Sequence, residues 1–273
     1  MLKILKKEFA ILKAVAASTY KEWAAYKSHM ALTILIAPLG LIIQYFIWSA
    51  VYSNRTSFKG FSLDQMLQYY VVSAMIGLIV FDFAEWNLQM LIHTGKLTTF
   101  MLRPMVHMRY ALYQKIGHRL LSLWIEVIPV GLIAILMLHI YPETTNIFWL
   151  VISILLGFFM AFYIDYSIGI LAFWVVKNGS LRGALGIISS LSAGMYFPLV
   201  FFPHWLQNIM FLLPFQYMSY VPVCVFLGSY KLGSVALSIP QIVLVQAIAV
   251  LLMYLVSKIL WYFGCKKYMG VGV

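Results

Sequence analysis

Apolar residues run through this chain in long blocks separated by short polar ones, and the blocks set the elements. The first, about Met30 to Tyr52, is long enough to cross a bilayer core of about 30 Å as one helix, with Pro38 as an expected kink. Ser53 to Asp64 is a polar loop, and a second crossing follows over about Gln65 to Trp86. A third runs from about Arg119 to Ile140 and a fourth from Ile147 to about Val176, with Tyr141 to Asn146 as a tight loop between them. The fourth is longer than a bilayer requires, so tilt or projection is expected. The last, Ile239 to Phe263, opens with Pro240 at a helix start.

The block from Leu181 to about Leu227 differs from the others. It is almost wholly apolar, yet Pro198, Pro203, Pro214 and Pro222 interrupt it. Leu181 to about Phe201 is long enough for a fifth crossing. His204 to Leu213 is confined between prolines and makes a helix of only about 15 Å. A segment that apolar and that short neither spans the bilayer nor suits water. The economical solution is a crossing that breaks at Phe197-Pro198 and dips back as a re-entrant hairpin over about 198–222. The expected fold is therefore an all-α polytopic membrane protein with six transmembrane helices.

Residues 1–29 read differently again. Leu2, Leu5, Phe9, Leu12, Ala16, Tyr20, Trp23 and Tyr26 recur every three or four residues among six lysines, the stripe of a basic amphipathic helix. Such a helix belongs flat on the membrane surface, or against a partner. Glu8 and Lys13 cut its apolar runs too short for a signal peptide.

Composition agrees: 63% apolar and 10% charged residues exclude an ordinary soluble domain. The ten-residue alternating segments of a transmembrane barrel are absent from the sequence. The net charge of +11 is a matter of location. With both termini cytosolic, all nineteen Lys and Arg except Arg55, Lys59 and Lys231 lie inside, a positive-inside bias that leaves no case for nucleic acid. Cys224 and Cys265 fall on opposite sides in this topology, and no metal-ligand spacing occurs.

Candidate chemistry is sparse. The one Gly-Lys pair, Gly95-Lys96, has Met90 at the first glycine position of a P-loop and Leu97 after the lysine, so this chain carries no ATPase motif. HExxH and GxSxG are missing as well. Asn87 to His118 is the longest cytosolic segment between crossings. There Gly95 ends a descending helix, Leu97, Phe100, Met101 and Leu102 form an apolar knob, and Arg103-Pro104 stops it. The knob suits a partner's groove or lipid headgroups. Four acids lie within crossings, where ionisable groups are costly: Asp82 and Glu85 one turn apart, Glu126, and Asp165. They line an inward-open vestibule favouring cationic or zwitterionic amphiphiles, or they pair with Lys and Arg at the headgroup boundary. Trp48, Tyr52, Trp86, Trp149, Trp205 and Trp261 stand near crossing boundaries, as in interfacial belts, and Ser189 to Gly194 offer small residues for close helix approach.

Two blocks carry a resemblance. Gly95-Lys96-Leu97 with Leu102-Arg103-Pro104-Met105, and Gly194, Phe197-Pro198-Leu199, Phe202-Pro203, Leu213-Pro214-Phe215, Pro222 and Leu227-Gly228, resemble the type-2 permease subunits of ABC exporters, the daunorubicin-resistance-like branch in particular. Met105 stands where that family often has Leu. The resemblance implies an elbow helix over 1–29, a six-span domain over 30–273 and a coupling loop at 87–118 that docks on separate ATPase subunits through Gly95, Lys96, Leu97, Phe100, Leu102, Arg103 and Pro104. It implies ATP and Mg on those partner subunits and none here, and a second permease subunit, identical or homologous, across the pathway. Phe197, Pro198, Phe202, Pro203, Pro214 and Phe215 would form its outer gate. The rival classes are a membrane enzyme acting on lipid-linked substrates, which needs convergent polar residues at one depth, and a secondary transporter. The latter usually breaks helices in both halves, whereas the prolines here cluster in the C-terminal half.

Overall fold

The computed structural model describes residues 2–80, 84–175 and 179–268, and Asp82 lies outside them. Helices α1 (Leu2–Ala24) and α2 (Lys27–Val51) meet at a break where the Tyr26 N–H bonds back to the Trp23 carbonyl at 3.1 Å. α2 continues through Pro38. α3 (Leu63–Val80) and α4 (Ala84–His93) follow, then a short α5 (Lys96–Met101), and α6 (His107–Ser122) passes through a π-helical segment, Leu123–Val127, into α7 (Ile128–Leu136). α8 (Ile147–Ile170) ends in a tight 3-10 turn, α9 spans Gly179–Ser192, α10 His204–Leu212 and α11 Tyr220–Leu227. A small hairpin, β1 (Tyr230–Leu232) with β2 (Val235–Leu237), precedes α12 (Ile239–Lys267). Ser238 and Gln241 close a capping box there, with Pro240 in the first turn.

Five stretches among the described residues are long and apolar enough to cross a membrane: Met30–Val51, Leu63–His93, His107–Leu136, Ile147–Phe173 and Ile239–Lys267. Three expected element boundaries need correction. The third crossing helix begins at His107 rather than Arg119, so the second half of the expected 87–118 loop is helix. Basic side chains disguise it: Lys115 and Arg119 are buried, although their charge reads as aqueous in the sequence. The helix expected to reach Phe197-Pro198 stops at Ser192, because Gly194 turns into a left-handed conformation, φ 72°. Its 14 residues rise only about 21 Å. Finally, Gly228–Ser238 is a hairpin with Gly233 at φ 59° on its turn, not an open loop.

α8 is the central post, packed against α12, α4 and α11. Glycine lets it do so: a Cβ at Gly157 would lie 2.6 Å from the Met218 carbonyl oxygen. Buried amides then fix the neighbours. Gln246 on α12 accepts from Ser153 Oγ at 2.7 Å and donates to the Ser153 and Tyr217 carbonyls at 2.9 and 2.8 Å. Lower down, Ser257 meets Ser167 at 2.8 Å. The loops before α3, before α8 and before α12 share one end of the molecule with α10. At that end Lys59 Nζ donates to the Phe201 carbonyl at 2.7 Å and Thr144 Oγ1 to the Phe226 carbonyl at 2.8 Å. α5 and the end of α12 share the other, where His107 stacks on Trp261 with ring centroids 5.8 Å apart.

α1 lies on α6. Ala16 and Thr19 are buried at the contact, Glu8 pairs with Arg109 at 2.8 Å, and Trp23 packs on His118. The expected apolar stripe is thus divided: Ala16 and Trp23 turn toward α6, while Phe9 and Tyr26 are exposed. Trp48 and Tyr52 are also not belt residues, being buried in a cluster with Tyr70, Phe58 and Phe201.

Candidate functional site

The corner between α4 and α6 is built from its turns. Gly95 takes a left-handed conformation, φ 71°, between α4 and α5, where a side chain would be strained. Thr98 Oγ1 bonds back to the Gly95 carbonyl at 2.5 Å, and the Arg103 N–H closes the far side on the Phe100 carbonyl at 2.9 Å. Leu97 and Phe100 do not form an outward knob. They are buried against Leu88, Ile92, Ala111, Phe162 and Tyr166, which anchors the corner. The exposed apolar tip is Met101 and Leu102, the latter 86% exposed, with Val106 beside it. Lys96 and Pro104 are exposed too, and the Arg103 guanidinium lies over the Phe100 and Tyr110 rings at 5.3 and 5.8 Å. The corner therefore offers apolar and cationic groups together on a rigid base.

A cavity of about 500 Å³ opens between α2, α3 and the π segment, with Met195 and Tyr196 across it. Its walls are largely apolar, while His118, Arg119 and Glu126 bring charge and polarity to one side. The π segment widens one turn at Glu126, a distortion frequent at functional sites. Ser122 Oγ donates to the Glu126 carboxylate, and Arg119 Nη1 lies 3.8 Å from it. Arg119 also donates to the Leu78 carbonyl and reaches His118 Nδ1 at 3.0 Å. One turn earlier, Lys115 Nζ donates to the Val80 and Phe158 carbonyls at 2.8 and 2.9 Å. Two cations from α6 thus satisfy carbonyls at the C-terminal end of α3, where the helix dipole favours positive charge. Sequence alone did not single out either residue. Their i, i+4 spacing, which puts both on one face of a helix running into the apolar Leu120–Leu136 stretch, was the available signal.

The three candidate acids among the described residues do not gather in this cavity, and Asp82 lies outside those residues. Glu126 lines it, whereas Glu85 sits on α4 against α8, so close that a Cβ at Gly169 would touch its backbone, and Asp165 lies one turn before Gly169 on α8.

The proline-rich segment is held by buried glutamines. Gln207 Nε2 donates to the Val200 and Phe202 carbonyls at 3.0 and 2.7 Å, and its Oε1 accepts from the Gly233 N–H at 2.7 Å. Gln216 donates to the Phe211 carbonyl at 2.8 Å and accepts from Tyr230 at 2.7 Å. Burial first, then nearby Cys224 and Tyr217, push the Tyr230 phenol above its ordinary range and keep it a donor. Tyr69 and Tyr70 reach from α3 to the Gly194 and Tyr196 carbonyls at 2.5 and 2.7 Å. Of the gate candidates, Pro198 is buried, Phe202, Pro214 and Phe215 are half-buried, and Phe197 and Pro203 are exposed. Phe201, which the sequence did not flag, is where Trp48, Phe58 and Phe61 converge.

A family model described as ABC-2 family transporter protein matches residues 39–272, nearly all of the chain beyond α1. The chain belongs to this family. This ABC-2 protein is accordingly a multi-pass membrane protein and a permease subunit of an ABC transporter, a transport component of a class that works with ABC ATPase subunits. Comparison with curated proteins returned no match.

Proposed function

We propose that this ABC-2 permease pairs with a second permease subunit, identical or homologous, to form an ATP-driven exporter of amphiphiles in the cell membrane, both termini being cytosolic. Separate ATPase subunits bind ATP and Mg and dock at the α5 corner. The observation that carries the reading is the corner itself: Met101 and Leu102 are exposed on a base held by buried Leu97 and Phe100, beside the cationic Lys96 and Arg103. An exposed leucine on a pinned turn suits insertion into a groove far better than a floppy loop would.

The finer architecture follows. α1 lies at the cytosolic interface with Phe9 and Tyr26 toward lipid. The fifth crossing is assembled from α9 and the turns after it, since Gly194 and Tyr196 already bond near the start of α3. From there α10 dips back as the re-entrant element closing the outer end with Phe197, Pro198, Phe202, Pro203, Pro214 and Phe215. The 500 Å³ cavity, with Glu126 and Arg119 on one wall, takes a zwitterionic or cationic amphiphile. Asp82, Glu85 and Asp165 belong to the lining of the cytosolic vestibule.

The test is affinity purification of the tagged full chain from mild detergent, followed by mass spectrometry and an ATPase assay. An ATPase and a second permease are expected to co-purify, and Leu102→Asp is expected to reduce ATPase retention at least about tenfold, a loss of about 1.4 kcal/mol. Undiminished retention in Leu102→Asp removes the coupling assignment. No ATPase in the purification, and none caught by crosslinking in cells, overturns the exporter reading.

A further inference from the structure

Cations are scarce at the end of the molecule that carries the inter-helix loops. Arg55, Lys59 and Lys231 are the only Lys or Arg in the segments 53–62, 141–146 and 228–238. Two of the three converge. Lys59 and Lys231 line a pocket of about 360 Å³ under the β-hairpin, together with His204 and Gln207 of α10 and Tyr220 and Cys224 of α11. Among the described residues no carboxylate lines it. Residues from four separate segments meet there, so the convergence is a product of the fold.

Two further observations bear on what the pocket takes. Lys59 sits at φ 46° beside Gly60 at φ 86°, on a two-residue turn between paired Phe58 and Phe61. Such turns favour Asn or Asp at that first position, so the chain accepts backbone strain to place a long cationic side chain there. Its Nζ donates one hydrogen to the Phe201 carbonyl at 2.7 Å, which fixes the ammonium and leaves two of its three hydrogens. His204 is the first residue of α10, a nine-residue helix whose N-cap, Pro203, supplies no side-chain acceptor to the first-turn amides. The dipole of α10 therefore adds positive potential on the side of the pocket that His204 lines.

We propose that this pocket binds a phosphate-class anion, held by Lys59, Lys231 and the start of α10. The chemistry is shared by two sources, the headgroup of an anionic phospholipid and free inorganic phosphate. The site goes beyond the exporter reading and draws on it only for the side of the membrane that the pocket faces. ATPase co-purification is measured separately, so either idea can fail alone.

The test uses the full chain purified in mild detergent, with native mass spectrometry to count bound dioleoylphosphatidylglycerol against uncharged dioleoylglycerol, and a titration of sodium phosphate against sodium chloride. Lys231→Gln and Lys59→Gln are each expected to weaken retention of the anionic lipid about tenfold, in line with loss of one charge-assisted bond. Lys231→Arg is expected to restore it, and Arg55→Gln, which removes the cation outside the pocket, to leave it unchanged. Lipid lost from both lysine variants but not displaced by millimolar phosphate assigns a headgroup site. Phosphate that binds alone and displaces lipid assigns a free-anion site. Equal retention of both lipids with no phosphate binding overturns the proposal, as does a loss in Arg55→Gln matching that in Lys231→Gln. Lys231 donates no side-chain bond within the described structure, so its variant keeps the test alive if Lys59→Gln fails to fold.

Discussion

At the residue scale, the polar groups inside this protein are mostly committed to one another. Gln246 is fully buried and makes three bonds to α8 and Tyr217, so it works as a clamp between α12 and the rest. Interhelical bonds in membranes are worth about 0.6 kcal/mol on average and at most about 1.7. Gln246→Leu is therefore expected to destabilise by roughly 1–2 kcal/mol in thermal unfolding in detergent. Combined with Ser153→Ala it should cost less than the sum of the two single changes, because the pair shares a bond. Full additivity would show that the bond contributes nothing. Glu126 is placed otherwise, at the edge of a cavity with Arg119 beside it. Glu126→Gln should reduce transport of cationic amphiphiles several-fold relative to neutral ones, because it leaves the Arg119 charge uncompensated. Equal transport of both classes would remove this cavity from the substrate path.

At the element scale, close approach decides which helices stay together. α1 rests on α6 at Gly117, where a Cβ would lie 2.3 Å from the Ala16 carbonyl oxygen. The Glu8–Arg109 pair is half-exposed and adds at most about 1 kcal/mol. Gly117→Leu is thus expected to lift α1 from α6 while the packing of α3, α4, α11 and α12 on α8 holds. Limited trypsin digestion reads this directly: cleavage after Lys13 and Lys21 should accelerate about tenfold or more, as protection tracks the opening free energy. An unchanged digestion rate would mean that α6 shifts to make room. The amphipathic period made α1 legible, but its partner was not. The periodicity names a face and says nothing of what covers it, and Phe9, on the stripe, ends exposed.

At the scale of the whole molecule, the two ends are chemically different. One gathers the hairpin, α10 and the 53–62 loop, and the other gathers α5 and the C-terminal Lys266 and Lys267 of α12. If the proposed topology with both termini cytosolic holds, Ser234→Cys in a background lacking Cys224 and Cys265 should react with an impermeant maleimide added outside intact cells. Lys267→Cys should react only after permeabilisation. The reverse pattern would invert the topology. Much of this organisation was readable in advance, because length and apolarity of a block are sums over neighbouring residues, and the bilayer rewards that sum wherever the rest of the chain lies. Hence the helices at Met30–Val51, Ile147–Phe173 and Ile239–Lys267 fall where hydropathy puts them. The start of α6 was misread for the same reason. Lys115 and Arg119 lower the local sum, and only the distant Leu78, Val80 and Phe158 carbonyls reveal why their burial is tolerated.

The sequence by itself determined that this is a helical membrane protein, its main crossings, and the motifs shared with ABC-2 permeases. The tertiary structure decided where α9 ends, which face of α5 is exposed, which of the described acids stand apart and which cations meet at the pocket under the β-hairpin. Those outcomes depend on pairings such as Lys59 with Phe201, 142 residues apart. A hydrogen bond or ion pair inside a membrane is favourable only when its partner arrives within about 3 Å, and no local pattern encodes that arrival.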